Sequence, residues 1–277
     1  MTATSPVALL VNDAAGARRP PQIVVIGGQK GGTGKTTIGM LLVLMAVLSG
    51  LKVLAVDADR ANGMSDVFSR RRNNDELPVK INCIQKVVPS GQERRKGAKA
   101  FAREILALAD DNDYDLIVID TAGFDATDQK NLELRGALLV ADLLLIVSRP
   151  GHLDRRVLPE VWTMALEARD IRAETAGDEE PDPLDVVCVL NAVPTNPFQR
   201  DRDVREAMKM LLEDVPDLPI ADKSVANRSI YYRGLMEGVL ALDQKPNAKE
   251  RTELMALYET VLQRQFKRET HEMQGAA

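Results

Sequence analysis

Residues 27 to 37 form a glycine-rich segment, GGQKGGTGKTT, whose residue types could bind phosphate groups. An apolar run precedes it at 23–27 and another begins at Ile38, so the segment would join a strand to a helix. Glycines allow backbone N–H groups to point inward around an anion, and the helix N-terminus adds a favourable dipole. A lysine such as Lys35 reaches terminal phosphates, and a hydroxyl such as that of Thr36 ligates Mg²⁺. The segment is therefore predicted to bind a nucleotide through its phosphates.

The common phosphate-loop pattern G-x-x-x-x-G-K-[ST] fails here because its first glycine falls on Gln29. Residues 30–37 (KGGTGKTT) instead resemble the deviant Walker A loop of the ParA/MinD family of P-loop ATPases. In that family the extra lysine, Lys30 here, crosses to the nucleotide of the partner subunit. The resemblance thus implies ATP and Mg²⁺ as cofactors and a homodimer that forms when ATP is bound. The loop residues to which it assigns nucleotide binding or catalysis are Lys30, Gly31, Gly32, Thr33, Gly34, Lys35, Thr36 and Thr37.

Two other predicted strands end in carboxylates. Asp57 ends the run 53–57 (VLAVD), and Asp120 ends the run 116–120 (LIVID). Ligands of parallel α/β sheets bind beyond the carboxyl ends of the strands, so acids at these positions can reach a metal beside the phosphate loop. Asp120 looks like the Walker B acid, whose expected role is water-mediated support of the Mg²⁺ held by Thr36.

The segment 56–59 resembles the D-x-D motif of the same family. That resemblance assigns support of the metal to Asp57 and orientation of the attacking water to Asp59. Many ParA proteins continue with Pro-Gln, whereas this chain continues with Arg60 and Ala61. Asn191 ends another apolar run and resembles the position at which related ATPases contact adenine.

Short β-branched runs alternate with amphipathic stretches from Gln22 onward. The runs lie at 23–27, 53–57, 81–85, 116–120, 143–148 and 186–191. Each is continuously apolar, which is typical of parallel strands covered by helices on both faces. We therefore expect an α/β fold with a doubly wound, mostly parallel β-sheet. One domain would span 22–270, between a flexible tail at 1–21 and a short tail at 271–277, and a last helix at about 247–268 should pack on the sheet.

The composition is that of a globular protein, with 277 residues, 45% apolar and 28% charged. A net charge of −5 argues against nucleic-acid binding through a globally basic surface. The two cysteines, Cys83 and Cys188, lie inside predicted strands, which disfavours a disulfide framework, a cysteine zinc site or a cluster shared between subunits. No apolar run reaches the roughly 20 residues that a membrane span needs. We expect a cytoplasmic, nucleoid-associated protein.

A local basic segment could still contact DNA. Residues 223–233 (KSVANRSIYYR) carry Lys223, Arg228 and Arg233 and no acid. Their surroundings resemble the family's arginine–aromatic–glycine segment, which ends here at Gly238. ParA proteins bind DNA in their ATP-bound dimeric form, without sequence preference, through basic residues in this part of the chain. Such binding is dominated by phosphate contacts and is sensitive to salt.

A second basic patch is formed by Arg95, Lys99 and Arg103, whose spacing of four places them on one helix face. For both patches a solvated surface is the alternative interpretation.

Together these features predict a ParA-type partition ATPase that hydrolyses Mg-ATP slowly, dimerises around ATP, binds non-specific DNA and positions a plasmid or chromosome with a ParB-like partner. The end of the chain, at 267–277, has too little apolar face for a membrane-surface helix of the MinD kind. Two alternatives stay open, namely a positioning ATPase for a protein cargo and a P-loop transferase or ligase acting on a small metabolite.

Overall fold

The computed structural model describes residues 20–28, 32–110, 113–124, 131–150, 157–177 and 183–275, the last without the side chains of 262–275. Its six strands form one sheet in the order β3-β2-β4-β1-β5-β6, and every neighbouring pair is parallel. The strands are β1 (Gln22–Gly27), β2 (Val53–Ala58), β3 (Asn82–Gln85), β4 (Leu116–Thr121), β5 (Leu143–Ser148) and β6 (Asp185–Leu190). The expectation of a doubly wound parallel sheet is confirmed, and each predicted run falls within one residue of an observed strand at both ends.

Helices cover both faces of the sheet. They are α1 (Lys35–Leu48), α2 (Gly63–Asn73), α3 (Arg94–Asp110), α4 (Leu132–Leu138), α5 (Val157–Ala176), α6 (Pro197–Asp214) and α7 (Ala248–Gly275). Helices α1, α2 and α7 enclose one apolar core, and α3 to α6 enclose the other. Three short 3₁₀ turns, Ser229–Tyr231, Leu235–Glu237 and Ala241–Gln244, lie between α6 and α7. Within the described residues, no helix is both long and apolar enough to cross a membrane.

The sequences of the strands are continuously apolar because the strands are buried on both faces. All residues of β2, β4 and β5 are buried, and so is most of α1, which lies between the sheet and α7. The last helix buries Leu254, Leu257, Tyr258 and Val261 in the core on this face, but it packs mainly against α1 and not directly on the sheet as predicted, because α1 already covers the strands there. The helix extends beyond the predicted end at 268 because neither proline nor glycine occurs between Ala248 and Gly275.

This topology brings the ends of β1, β2 and β4 together. In the sheet register Asp120 lies beside Ile26 of β1 on one side and beside Asp57 of β2 on the other. The phosphate loop follows β1, so the two carboxylates that end β2 and β4 lie at the same edge as the loop.

Candidate functional site

The phosphate loop joins β1 to α1 as predicted. Gly34 precedes the helix with φ +93°, a left-handed conformation that glycine adopts without strain. A Cβ at this position would also collide with the Asn191 amide, so both the backbone angle and the space require glycine. Lys30 and Gly31 lie outside the described residues, and their assigned roles stay predictions.

Lys35 is 8% exposed at the first position of α1. Burial lowers the pKa of its ammonium group, and the attraction of Asp120 and Asp59 only partly opposes this shift. Gly32, Thr33, Thr36 and Thr37 line the same pocket as Lys35. The Thr33 hydroxyl is buried, and no described residue forms a hydrogen bond with it. A ligand with an acceptor oxygen would provide a partner for the Thr33 hydroxyl.

Asp57 is fully buried and organises the turn that carries Asp59. Its two carboxylate oxygens accept hydrogen bonds from the backbone N–H of Asp59, at 3.1 Å, and of Ser65, at 2.7 Å. Asp59 in turn accepts a hydrogen bond from the backbone N–H of Ala61, at 2.9 Å, and lines the pocket. The D-x-D turn is therefore built around these carboxylates although the chain lacks the Pro-Gln continuation. Support of a metal ion by Asp57 stays a prediction.

Asp120 is 1% exposed, and no described residue forms a hydrogen bond of good geometry with either of its carboxylate oxygens. Burial raises the pKa of this carboxyl group to about 7, although the nearby Thr36 hydroxyl and the Lys35 charge act in the opposite direction. Burial of a carboxylate without partners costs free energy unless a cation or a hydrogen-bond donor binds to it. Together with the neighbouring Thr36 hydroxyl, it fits the hard oxygen donors that Mg²⁺ prefers.

No group of three or more histidine, cysteine, aspartate or glutamate side chains within the described ranges could by itself hold a metal ion. Mg²⁺ at a nucleotide site does not need such a group, because the ion is commonly bound through one or two protein carboxylates together with substrate phosphates and water. Cys83 and Cys188 are free thiols, and burial raises the pKa of Cys83 to about 11 and that of Cys188 to about 12.

The phosphate loop and Asp59 line a pocket of about 740 Å³. Several residues that line it were not predicted from the sequence, namely Arg60, Asn131, Glu133, Arg149 and Tyr232. Arg149 directly follows β5, so the argument that strand ends meet at one edge could have found it had it been applied to basic residues as well as to acids. Tyr232 has no such signal, because its position depends on a contact between distant parts of the chain.

Asn191 lies against the phosphate loop. Its side-chain amide donates a hydrogen bond of 2.8 Å to the backbone carbonyl of Thr33, and the bond is buried. In this structure Asn191 thus holds the loop, while its contact with adenine stays a prediction.

The basic residues of 223–233 differ in their surroundings. Lys223 and Arg233 are exposed, whereas Arg228 forms two hydrogen bonds with the Glu253 carboxylate of α7, at 2.9 and 2.8 Å. The hydroxyl of Tyr231 donates to the same carboxylate at 3.0 Å. Arg228 therefore stabilises the fold, and a DNA contact from this position stays a prediction.

The second basic patch has no comparable partner among the residues that the structure describes. Arg95, Lys99 and Arg103 are all exposed on α3, as their spacing predicts. The structure thus leaves this patch open to a partner or to solvent alone.

Comparison with known proteins identifies the family. The family model "ATPase MipZ" matches residues 22–268. No curated protein matches the chain.

Solved structures share the fold at low sequence identity. The ATP complex of a McdA variant from Cyanothece has a TM-score of 0.61 and 16% identity, covering 87% of this chain and 96% of its own. A plasmid partition protein from Borrelia burgdorferi has a TM-score of 0.56 and 17% identity, covering 89% and 100%. The septum site-determining protein MinD from Pyrococcus horikoshii, complexed with Mg-ADP, has a TM-score of 0.53 and 20% identity, covering 87% and 96%. With its fold, its phosphate loop and the match over residues 22–268, the chain belongs to the MipZ family of ParA/MinD-type P-loop ATPases.

Proposed function

We propose that this ATPase is a nucleotide switch that binds non-specific DNA as an ATP-bound dimer and positions a cargo. ATP and Mg²⁺ are its cofactors. The observation that carries the proposal is the position of segment 223–233. Tyr232 of this segment lines the nucleotide pocket, while the neighbouring Arg233 and the nearby Lys223 are exposed and basic. A structural change that follows ATP binding or hydrolysis can thus be transmitted to a surface that is able to contact DNA phosphates.

The chemistry of hydrolysis is assigned to the residues of the pocket. Lys35 and the backbone N–H groups of the loop bind the phosphates, and Asp59 orients the attacking water. Thr36 and Asp120 would hold Mg²⁺, with Asp57 beside them, and the ion when bound neutralises charge between the β- and γ-phosphates. The assignment is supported by the buried Asp120 carboxylate, to which no described residue donates a hydrogen bond of good geometry.

Dimerisation is assigned to Lys30. Its ammonium group reaches the nucleotide of the partner subunit, so that ATP is enclosed between two protomers. We expect Lys30→Ala to leave ATP bound to a monomer, as measured by light scattering with and without ATP. A variant that forms an ATP-dependent dimer of unchanged stability would contradict this role.

The cargo that fits the partition interpretation is a plasmid or chromosome bound by a ParB-like centromere-binding protein, which stimulates turnover and releases the ATPase from DNA. The Borrelia neighbour is described as a plasmid partition protein. A protein cargo would use the same switch without a centromere.

Binding of a random-sequence DNA duplex tests the proposal. Affinity is measured without nucleotide, with ADP and with ATP, each over a salt titration, and Lys35→Ala serves as the control that is impaired in nucleotide binding. We expect tight, salt-sensitive binding with ATP only. If ATP binds but DNA does not bind in any state, the proposal fails, and turnover that requires a small metabolite would favour the transferase or ligase alternative.

A further inference from the structure

Arg149 lies at the end of β5, directly beside the start of the phosphate loop. A Cβ placed on Gly28 would lie 2.9 Å from the Val147 carbonyl oxygen, which shows how closely the loop runs along this strand. Arg149 follows two residues later and lines the nucleotide pocket together with Lys35 and Thr36. Its guanidinium group therefore lies in the same pocket as the residues that bind phosphate.

This guanidinium lacks an anion in the described part of the chain. Arg149 Nε is shielded from solvent without a hydrogen-bond partner, and no described residue forms an ion pair with the side chain. Arg60, the other arginine of the pocket wall, is different, because it donates to the Val88 carbonyl and lies 3.7 Å from the Glu133 carboxylate. A partly buried charge without a partner costs free energy. An anionic ligand in the pocket would offset this cost, which the described residues do not offset.

The guanidinium group of Arg149 also suits a phosphate chain. Its planar donors match the oxygens of a phosphate in a bidentate manner, which an ammonium group does not. Among the described residues, two acids line the pocket, Asp59 and Glu133, and neither pairs with Arg149.

We propose that Arg149 binds the phosphate chain of the nucleotide held by its own subunit and is a further nucleotide-binding residue of this site. The inference rests on nucleotide binding at the phosphate loop. It does not depend on DNA binding, on dimerisation or on the identity of the cargo.

The test measures nucleotide affinity and stability in the same variants. Arg149→Ala should weaken the binding of Mg-ATP about tenfold or more, because a charge-assisted hydrogen bond is lost, and Arg149→Lys should recover part of this loss. The Kd values for Mg-ATP and Mg-ADP are measured by isothermal titration calorimetry. A larger loss for ATP assigns the contact to the terminal phosphate, and an equal loss assigns it to the inner phosphates.

A purely structural role predicts a different result. Thermal melting of the nucleotide-free protein should be unchanged or higher in Arg149→Ala, because an unpartnered charge is removed, whereas loss of a structural arginine would lower it. The matched control is Arg205→Ala, which removes an exposed guanidinium on α6 that bonds only within its own helix. The inference is wrong if Arg149→Ala binds both nucleotides as tightly as the unchanged protein does, or if its affinity falls only together with its melting temperature. Failure of the unchanged protein to bind ATP would instead contradict the assignment of the site itself.

Discussion

At the residue scale, Asp57, Asp59 and Asp120 lie at one edge of the sheet but have different surroundings. Asp57 accepts two backbone hydrogen bonds and fixes the turn. Asp59 borders the open pocket, where a water molecule can reach it. Asp120 is buried without a partner of good geometry among the described residues. The three carboxylates therefore suit three tasks, namely holding the loop, orienting water and supporting a cation.

Replacement of Asp59 tests the catalytic assignment. We expect Asp59→Ala to abolish ATP turnover while ATP-dependent dimers still form, because the water loses its orienting carboxylate but the phosphate contacts remain. Phosphate release and light scattering provide the two measurements. Asp66→Ala, which removes an exposed carboxylate from the first turn of α2, should leave turnover unchanged. Turnover retained by Asp59→Ala would remove this residue from the mechanism.

The raised pKa of Asp120 predicts a dependence of stability on pH. Because burial raises this pKa to about 7, the folded protein keeps a proton that the unfolded chain has lost between about pH 4 and 7. Without nucleotide and Mg²⁺, the stability contribution of the group is thus complete at low pH and decreases as the pH rises through this window. We expect Asp120→Asn to remove this part of the decrease, on the order of a few kcal/mol in the free energy of unfolding. Urea unfolding at pH 5 and pH 8 measures the free energy of unfolding of both proteins. An equal change between the two pH values in Asp120→Asn and in the unchanged protein would contradict the prediction.

At the element scale, α2 connects the D-x-D turn to the 3₁₀ turns that follow the basic segment. Arg71 of α2 is fully buried, and its guanidinium donates to the Asp243 carboxylate at 2.6 and 3.0 Å. It also donates to the Gly238 carbonyl at 3.2 Å. Gly238 has φ +74°, and a Cβ there would collide with the Arg71 backbone. This packing gives a physical reason for the glycine that ends the arginine–aromatic–glycine segment.

Loss of the Asp243 carboxylate should destabilise this connection strongly. Asp243→Ala leaves the buried Arg71 charge without its anion, and breaking such a pair costs about 3 to 5 kcal/mol. Asp222→Ala, an exposed aspartate in the preceding loop, should change the free energy of unfolding by less than about 0.5 kcal/mol. Urea unfolding of both variants makes the comparison, and equal stabilities would show that the pair contributes nothing.

Elements could be predicted from the sequence because their signals are local. The run LIVID and the glycines before Lys35 show a buried strand and a phosphate loop within a few neighbouring positions. The partners of Arg71 and Asn191 could not be predicted, because Asp243 and Thr33 are more than 150 residues away along the chain. The same limit applies to Tyr232, which reaches the nucleotide pocket only through the packing of the 3₁₀ turns. Local patterns thus predicted the edge of the sheet at which the phosphate loop and the carboxylates meet, while the connections between that edge and the basic segment required the tertiary structure.

At the scale of the whole molecule, a net charge of −5 means that DNA binding must depend on a small basic surface. Segment 223–233 supplies such a surface, but its arginines are not equivalent. Although burial opposes the shift, hydrogen bonds from Arg228 and Tyr231 lower the pKa of Glu253, so this carboxylate stays charged beside α7. Loss of Arg228 would therefore disturb the fold as well as any DNA contact.

Parallel replacement of Arg228 and Arg233 separates the two effects. We expect Arg233→Ala to leave the melting temperature unchanged, to weaken ATP-dependent DNA binding and to reduce the slope of log affinity against log salt by about one, because one phosphate contact is lost. Arg228→Ala should lower the free energy of unfolding by about 2 kcal/mol, since the Glu253 carboxylate loses the charged partner that donates two hydrogen bonds to it. Thermal melting and salt-titrated duplex binding measure both properties in both variants. If Arg233→Ala keeps the full salt slope, the DNA surface lies elsewhere, and the exposed patch of Arg95, Lys99 and Arg103 becomes the one to replace.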